Sequence, residues 1–216
     1  MRQEKPQPGY YKPTFAEEKR LAAEGYHLIA GVDEAGRGAL AGPVVAGAVI
    51  MPPDPKGSWT ELVKDSKLLA PEEREFLFPY ITEAAVSCGT GIVAHELIDA
   101  YDIVIATRIA MRQAIEQLAP QPETLLIDYL LLPEIPLPQK GIVDGDRLCF
   151  SIACASIIAK VTRDHIMIEL DAVYPGYGLA RHKGYCTDEH VLCLYNLGPA
   201  YIHRISFHPV RDLLGL

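Results

Sequence analysis

The stretch 29-IAGVDEAGRGALAGPV-44 sets two adjacent acids, Asp33 and Glu34, between an apolar run and a cluster of small residues. Its first half reads as a buried strand within 26-YHLIAGVDEA-35. After Gly36-Arg37-Gly38, the run 42-GPVVAGAVIMP-52 reads as a second strand, stopped by Pro52-Pro53. Two strands joined by a glycine-containing turn predict a hairpin. Consecutive strand side chains face opposite sides, so Asp33 and Glu34 share one site only if the backbone bends or bulges there, which Gly31, Gly36 and Gly38 make feasible.

Working outward, residues 15–24 predict a helix ahead of this hairpin. Pro71 opens another over 71–85, with acids in its first turn as helix starts prefer. The run 86–94 fits a strand, 95–118 carries apolar positions at helical spacing, and 123-ETLLIDYLLL-132 fits a buried strand. Beyond a proline-rich loop at 133–138, residues 148–170 are apolar enough to lie as one helix against a sheet, with Ala153, Ala155 and Ser156 permitting close packing. A further helix is predicted from Thr187 to Asn196. The order of strands and helices predicts an α/β domain over 15–216, preceded by a flexible lead-in, 1–14, that holds Pro6, Pro8 and Pro13.

At 216 residues the chain is long enough to bury a core, and 49% hydrophobic with 22% charged residues is ordinary for a globular protein. A net charge of −8 argues against nonspecific coating of nucleic acid, though a local basic face is compatible with it. Five cysteines, at 88, 149, 154, 186 and 193, form no CxxC pair and suggest reduced thiols in the cytoplasm. No stretch is apolar for the length of a membrane span, and no secretory signal is evident.

Two further acids sit in apolar surroundings: Asp128 inside 124-TLLIDYLLL-132 and Asp146 in 143-VDGDR-147, just before the long helix. Buried carboxylates are costly unless paired, and a divalent metal would explain several at once. Mg²⁺ and Mn²⁺ prefer oxygen ligands, and a pair of such ions suits phosphodiester cleavage.

The stretch 30-AGVDEAGRGALAGPVVAGAV-49 resembles the signature of the ribonuclease HII family. So do, in order, 65-DSKLL-69, 106-ATRIAM-111, 151-SIACASIIAKVTRD-164, 182-HKGYCTDEH-190 and 203-HRISFHPV-210. The resemblance covers residues 28–212. It implies a ribonuclease H-like fold, a mixed five-stranded sheet flanked by helices with a helical C-terminal extension. It also implies an endonuclease that hydrolyses the RNA strand of RNA–DNA hybrids and cuts at single ribonucleotides in duplex DNA, leaving a 3′-hydroxyl and a 5′-phosphate.

By that resemblance Asp33, Glu34, Asp128 and Asp146 are the catalytic acids, holding two Mg²⁺ or Mn²⁺ ions. Asp164 competes for the fourth place, but lies about 24 Å along the predicted helix. Tyr129 departs from the small residue the family commonly has after the third acid. Gly36, Arg37 and Gly38 would contact the ribose 2′-hydroxyl through backbone groups, and Tyr185 would stack near the RNA–DNA junction. Lys67 and Lys183 are expected at phosphates, with Arg181, His203 and Arg204 extending a basic face.

The expected partners are RNA–DNA hybrids and ribonucleotide-containing duplex DNA, for a monomer acting without a membrane. A sliding clamp is left open, since 211-RDLLGL-216 shows no clamp-binding peptide. The rivals are a DNA-cutting nuclease on a related fold and a nucleotide-binding module. The latter is weakened because no GxxxxGK[ST] loop is present.

Overall fold

In the computed structural model, which describes residues 12–216, the apolar runs assemble into one five-stranded mixed sheet. The elements are α1 (Ala16–Ala23), β1 (Ile29–Ala35), β2 (Val44–Ile50), α2 (Pro71–Ala84), β3 (Ser87–Val93), α3 (His95–Tyr101), α4 (Ile103–Glu116), β4 (Thr124–Asp128), β5 (Gln139–Ile142), α5 (Gly145–Leu148), α6 (Phe150–Val173), α7 (Leu179–His182), α8 (Asp188–Leu197) and α9 (Val210–Leu213). Strand order is β3-β2-β1-β4-β5. β2 runs antiparallel to β1 and β3, so the predicted hairpin forms, while β4 lies parallel to β1 and β5 parallel to β4.

Alternation along the strands splits the core in two. Ala30, Val32, Leu125 and Ile127 face α4, packing on Ala106, Ala110 and Met111. The opposite face meets α6. A Cβ at Gly31 would run into the Ser151 backbone, and one at Gly47 would come within 2.5 Å of the Ala155 carbonyl, so glycine is what lets α6 lie this close. Every residue of α6 from Phe150 to Ala159 is buried, because α2 covers its outer side through Leu77 and Ile81. Burying such a side chain contributes roughly 1.5–3 kcal/mol, which explains an almost unbroken apolar run in a helix. A third cluster, with Leu40, Met167, Leu179, Leu194 and Ile202, fixes the C-terminal helices onto the loop between β1 and β2.

Three features differ from the sequence reading. The helix expected over 95–118 is two helices, because Asp102 adopts a left-handed conformation (φ 77°) and its side chain accepts from the N–H groups of Val104 and Ile105, capping α4. The strand expected to run to Leu132 ends at Asp128, where Tyr129 turns left-handed (φ 60°). β5 was not anticipated from its residues: it is a four-residue edge strand, too short for periodicity to register. Residues 1–11 of the expected lead-in lie outside the described residues. Thr14, near its end, donates to the Leu148 carbonyl at 3.0 Å and accepts from Phe150 N–H at 3.1 Å.

Candidate active site

Asp33 is 2% exposed on the face that meets α6, and Glu34 leaves β1 on the opposite face. No bulge joins them. The β1–β2 register continues unbroken through Asp33↔Gly47, Glu34↔Ala46 and Ala35↔Val45, which corrects the expectation of a bent strand. The β1–β4 pairing stops at Val32↔Ile127, so one step further along it Asp33 lies beside Asp128. Past that point β4 no longer covers the edge of β1, and carboxylates from either face can approach across it.

Asp128 Oδ1 accepts from Gly145 N–H at 2.8 Å, tying the end of β4 to α5, which carries the buried Asp146. The acids perturb one another. Burial, then the charges of Glu34, Asp128 and Asp146, holds the Asp33 carboxyl well above its ordinary range. Burial pushes Glu34 up to about 7, with Arg37 opposing and Asp128 reinforcing. Asp128 and Asp146 are also raised, chiefly by burial.

Asp33 Oδ1 accepts from Glu34 N–H at 2.7 Å, whereas its buried Oδ2 has no hydrogen-bond partner among the described residues. An orphaned buried carboxylate oxygen within a set of acids matches the chemistry of a hard divalent cation. Among the described residues no three His, Cys, Asp or Glu side chains close around an ion as they stand. A lysine is set among the acids instead: Lys67 Nζ lies 3.0 Å from Asp146 Oδ2 and 3.9 Å from Asp65 Oδ1. Burial pulls this ammonium down, but the hydrogen bond to Asp146 and the charges of Asp146, Asp33 and Asp65 outweigh it and hold its pKa above the ordinary lysine value.

The competing acid, Asp164, is elsewhere. Its carboxylate sits 2.6 Å from Lys160 Nζ and 3.4 Å from Arg74 Nη2 on the outer part of α6.

The loop from Gly36 to Pro43 bridges this cluster to the C-terminal helices. Gly36 has φ +91° and lends its N–H to the Tyr185 hydroxyl oxygen at 3.2 Å. Arg37 Nη1 is 3.8 Å from Glu34 Oε1, and Gly38 is exposed. Ala39 bridges to Tyr185 and Ala41 to His203. The Tyr185 ring lies beneath two cations, with Arg163 Cζ at 5.1 Å and Lys160 Nζ at 5.4 Å from its centroid. Lys183 adopts φ 52°, directs its ammonium to the Ala180 carbonyl, and gives its own carbonyl to Arg163.

The residues expected to extend a basic face divide. Arg181 is exposed and paired with Glu189. His203 and Arg204 are wholly buried, which corrects their reading as surface. Their seats are polar but internal. His190 Nδ1–H donates to the Tyr185 carbonyl at 3.0 Å, His190 Nε2 accepts from His203 Nε2–H at 3.0 Å, and His203 Nδ1 accepts from Ala200 N–H at 2.9 Å. That assignment satisfies both rings in the neutral state.

Against known proteins, the family model described as Ribonuclease HII matches residues 30–210. A Ribonuclease HII of Dehalococcoides mccartyi (strain ATCC BAA-2100) is 60% identical over 202 residues, covering 94% of this chain and 95% of its own. This chain belongs to the ribonuclease HII family. The ribonuclease H2 of Pyrococcus horikoshii OT3 superposes with a TM-score of 0.67 at 25% identity, covering 86% of this chain and 96% of its own. Bst-RNase HIII, solved in complex with Mn²⁺, shares the fold at a TM-score of 0.65 and 20% identity, covering 90% of this chain and 72% of its own.

Ribonuclease HII membership makes the chain a metal-dependent endoribonuclease with a ribonuclease H-like fold. Two residues near the candidate site, Asp65 and Arg163, had escaped the sequence reading. Asp65, 2% exposed, accepts from Lys67 N–H at 2.9 Å and from Arg147 Nε at 3.2 Å, holding the loop that aims Lys67. Arg163 and Arg204 lie beneath the 36–43 loop. For Arg163 a signal existed: it shares a helical face with Ile152, Ser156, Ala159 and Met167, all buried.

Proposed function

We propose that this ribonuclease HII cleaves the RNA strand of RNA–DNA hybrids and cuts 5′ of single ribonucleotides in duplex DNA, leaving a 3′-hydroxyl and a 5′-phosphate. The carrying observation is the partnerless Oδ2 of Asp33 within a group of mutually destabilised acids. Asp33, Glu34, Asp128 and Asp146 would hold two divalent ions, Mg²⁺ or Mn²⁺, and relief of their repulsion favours loading. When bound, such ions supply Lewis acidity and lower the pKa of water.

The remaining groups bind and orient. Lys67, beside Asp146 yet with its side chain 70% exposed, is free to swing toward a phosphate. Tyr185, gripped by Arg163 and Lys160, offers a rigid ring for stacking on a sugar or base. Gly36, Arg37 and Gly38 bring bare backbone to the ribose, where the 2′-hydroxyl separates RNA from DNA. Lys183 adds a basic group beside Tyr185. No covalent nucleophile is called for: Cys149 and Cys154 are buried, and burial raises both thiols. Five free thiols suit a reducing cytoplasm, and we expect a monomer that works on nucleic acid without a membrane. Among the described residues no helix is long and apolar enough to cross one.

The test is a duplex carrying one ribonucleotide, incubated with and without Mg²⁺ or Mn²⁺, with the cut mapped against that sugar. Asp33→Asn and Asp128→Asn should abolish cleavage without unfolding the protein. Comparable cutting of an all-DNA duplex would favour the DNA-nuclease reading instead.

A further inference from the structure

Arg163 and Arg204 are the two largest wholly buried side chains, each 0% exposed, and neither forms an ion pair with a carboxylate among the described residues. A buried guanidinium is costly to desolvate, and here backbone oxygens compensate it. Arg204 donates to the carbonyls of Gly36 (2.8 Å), Arg37 (3.0 Å) and Gly42 (2.9 and 3.1 Å). Arg163 donates to Pro43 (2.9 Å), Ala41 (3.1 Å) and Lys183 (2.9 Å). Thus five carbonyls of the 36–43 loop are turned inward onto two cations.

A trans peptide points its N–H opposite to its carbonyl. With the carbonyls of Gly36 and Arg37 drawn inward to Arg204, the N–H groups of Arg37 and Gly38 are turned outward. Neither has an acceptor among the described residues, whereas Gly36 N–H is taken by the Tyr185 hydroxyl and Leu40 N–H by the Gly184 carbonyl. Two adjacent outward donors, on backbone that carries no side chain at Gly38, make a small acceptor-binding notch beside the acids. The Tyr185 hydroxyl, accepting from Gly36, retains its own proton to donate.

We propose that Arg204, supported by Arg163, is a positioning residue that orients the 36–38 peptides so that the N–H groups of Arg37 and Gly38 face a ribose 2′-oxygen. The proposal rests on the reading of this loop as the ribose contact. It assigns discrimination between ribose and deoxyribose to two residues that never touch the substrate. Lysine keeps the charge but cannot span several carbonyls with a planar fork.

The test uses the full chain in EDTA, so that no turnover competes, and measures affinity by fluorescence anisotropy for a duplex with one ribonucleotide and for its all-deoxy counterpart. Arg204→Lys should reduce the ribo-to-deoxy affinity ratio about tenfold, the worth of one or two hydrogen bonds, while all-deoxy affinity stays unchanged. Arg163→Lys should reduce the ratio less. A folded Arg204→Lys protein with the wild-type ratio overturns the positioning role and leaves the ribose reading standing. A wild-type protein with no ratio at all overturns both.

A measurement on the unaltered protein covers the case of misfolded variants. Hydrogen exchange at the Arg37 and Gly38 amides should be fast in the free protein and slowed by the ribonucleotide duplex but not by the all-deoxy one. Equal protection by both duplexes, or by neither, overturns the proposal.

Discussion

Lys67 Nζ lies 3.0 Å from Asp146 Oδ2, a cation supplied by the chain itself to a group of acids that would otherwise repel one another. Because the lysine is largely exposed, solvent screens the contact, and its worth is about 0–1 kcal/mol. Lys67→Met should therefore lower the metal-free melting temperature by no more than about 4 °C in a chain of this size. Mg²⁺ or Mn²⁺ should narrow the gap in differential scanning calorimetry. A deficit that metal leaves untouched would show that the lysine does not stand in for a cation.

Asp33→Asn should separate activity from stability. The substitution keeps the acceptor for Glu34 N–H and removes a buried charge held among three others. Metal-free Asp33→Asn should melt a few degrees above wild type, since one relieved buried like-charge contact is worth on the order of 1 kcal/mol, while cleavage is lost. A lower melting temperature would mean that the Asp33 carboxylate stabilises the free protein.

Glycine replacement should divide the 36–38 turn sharply. Gly36 has φ +91°, and a Cβ there would strike the Arg163 guanidinium, so Gly36→Ala should cost about 2 kcal/mol or more in urea denaturation. At Gly38 an added Cβ meets nothing within 4 Å, so Gly38→Ala should stay within about 0.5 kcal/mol of wild type. On the proposed reading, the added methyl would still obstruct a ribose. Reduced cleavage at full stability is the expected signature.

Acid should loosen the segment behind Tyr185. Burial pushes His190 down to about 4, with the hydrogen bond to the Tyr185 carbonyl opposing and the stacked His182 ring, 4.3 Å away, reinforcing; burial also lowers His203. Between pH 6.5 and about 4 the unfolded chain binds protons that the folded one refuses. The stability from keeping His190 neutral is therefore complete above pH 6.5 and is lost as pH falls toward 4, on the order of 3 kcal/mol. His190→Gln should flatten the melting temperature over that range, and an unchanged slope would remove the histidines as its source.

How far the sequence could be read follows the physics of each position. Asp33, Glu34 and Asp128 stood out because acids inside apolar strands need a reason to be there, and the hairpin followed from a small-residue turn between β-forming runs. The break at Asp102 was hidden because an N-cap aspartate looks like any solvated acid on a helix until its backbone turns left-handed. Arg204 was misread as surface because a guanidinium can be buried by carbonyls alone, and which carbonyls converge is a property of tertiary structure. The absence of a bulge was equally unreadable: glycines that permit a bend do not require one, and the register with β2 runs on unbroken through Ala35.

The unbroken register through Asp33, Glu34 and Ala35 carries a consequence for accuracy. Glu34 and Arg37 are three residues apart on one continuous backbone, a span of at most about 11 Å. On the proposed reading, the group that senses the sugar and the group that serves the scissile phosphate therefore share a covalent ruler. Motion of loops or helices elsewhere cannot lengthen that span beyond its limit, so the covalent chain itself bounds how far from the sensed sugar the incision can fall.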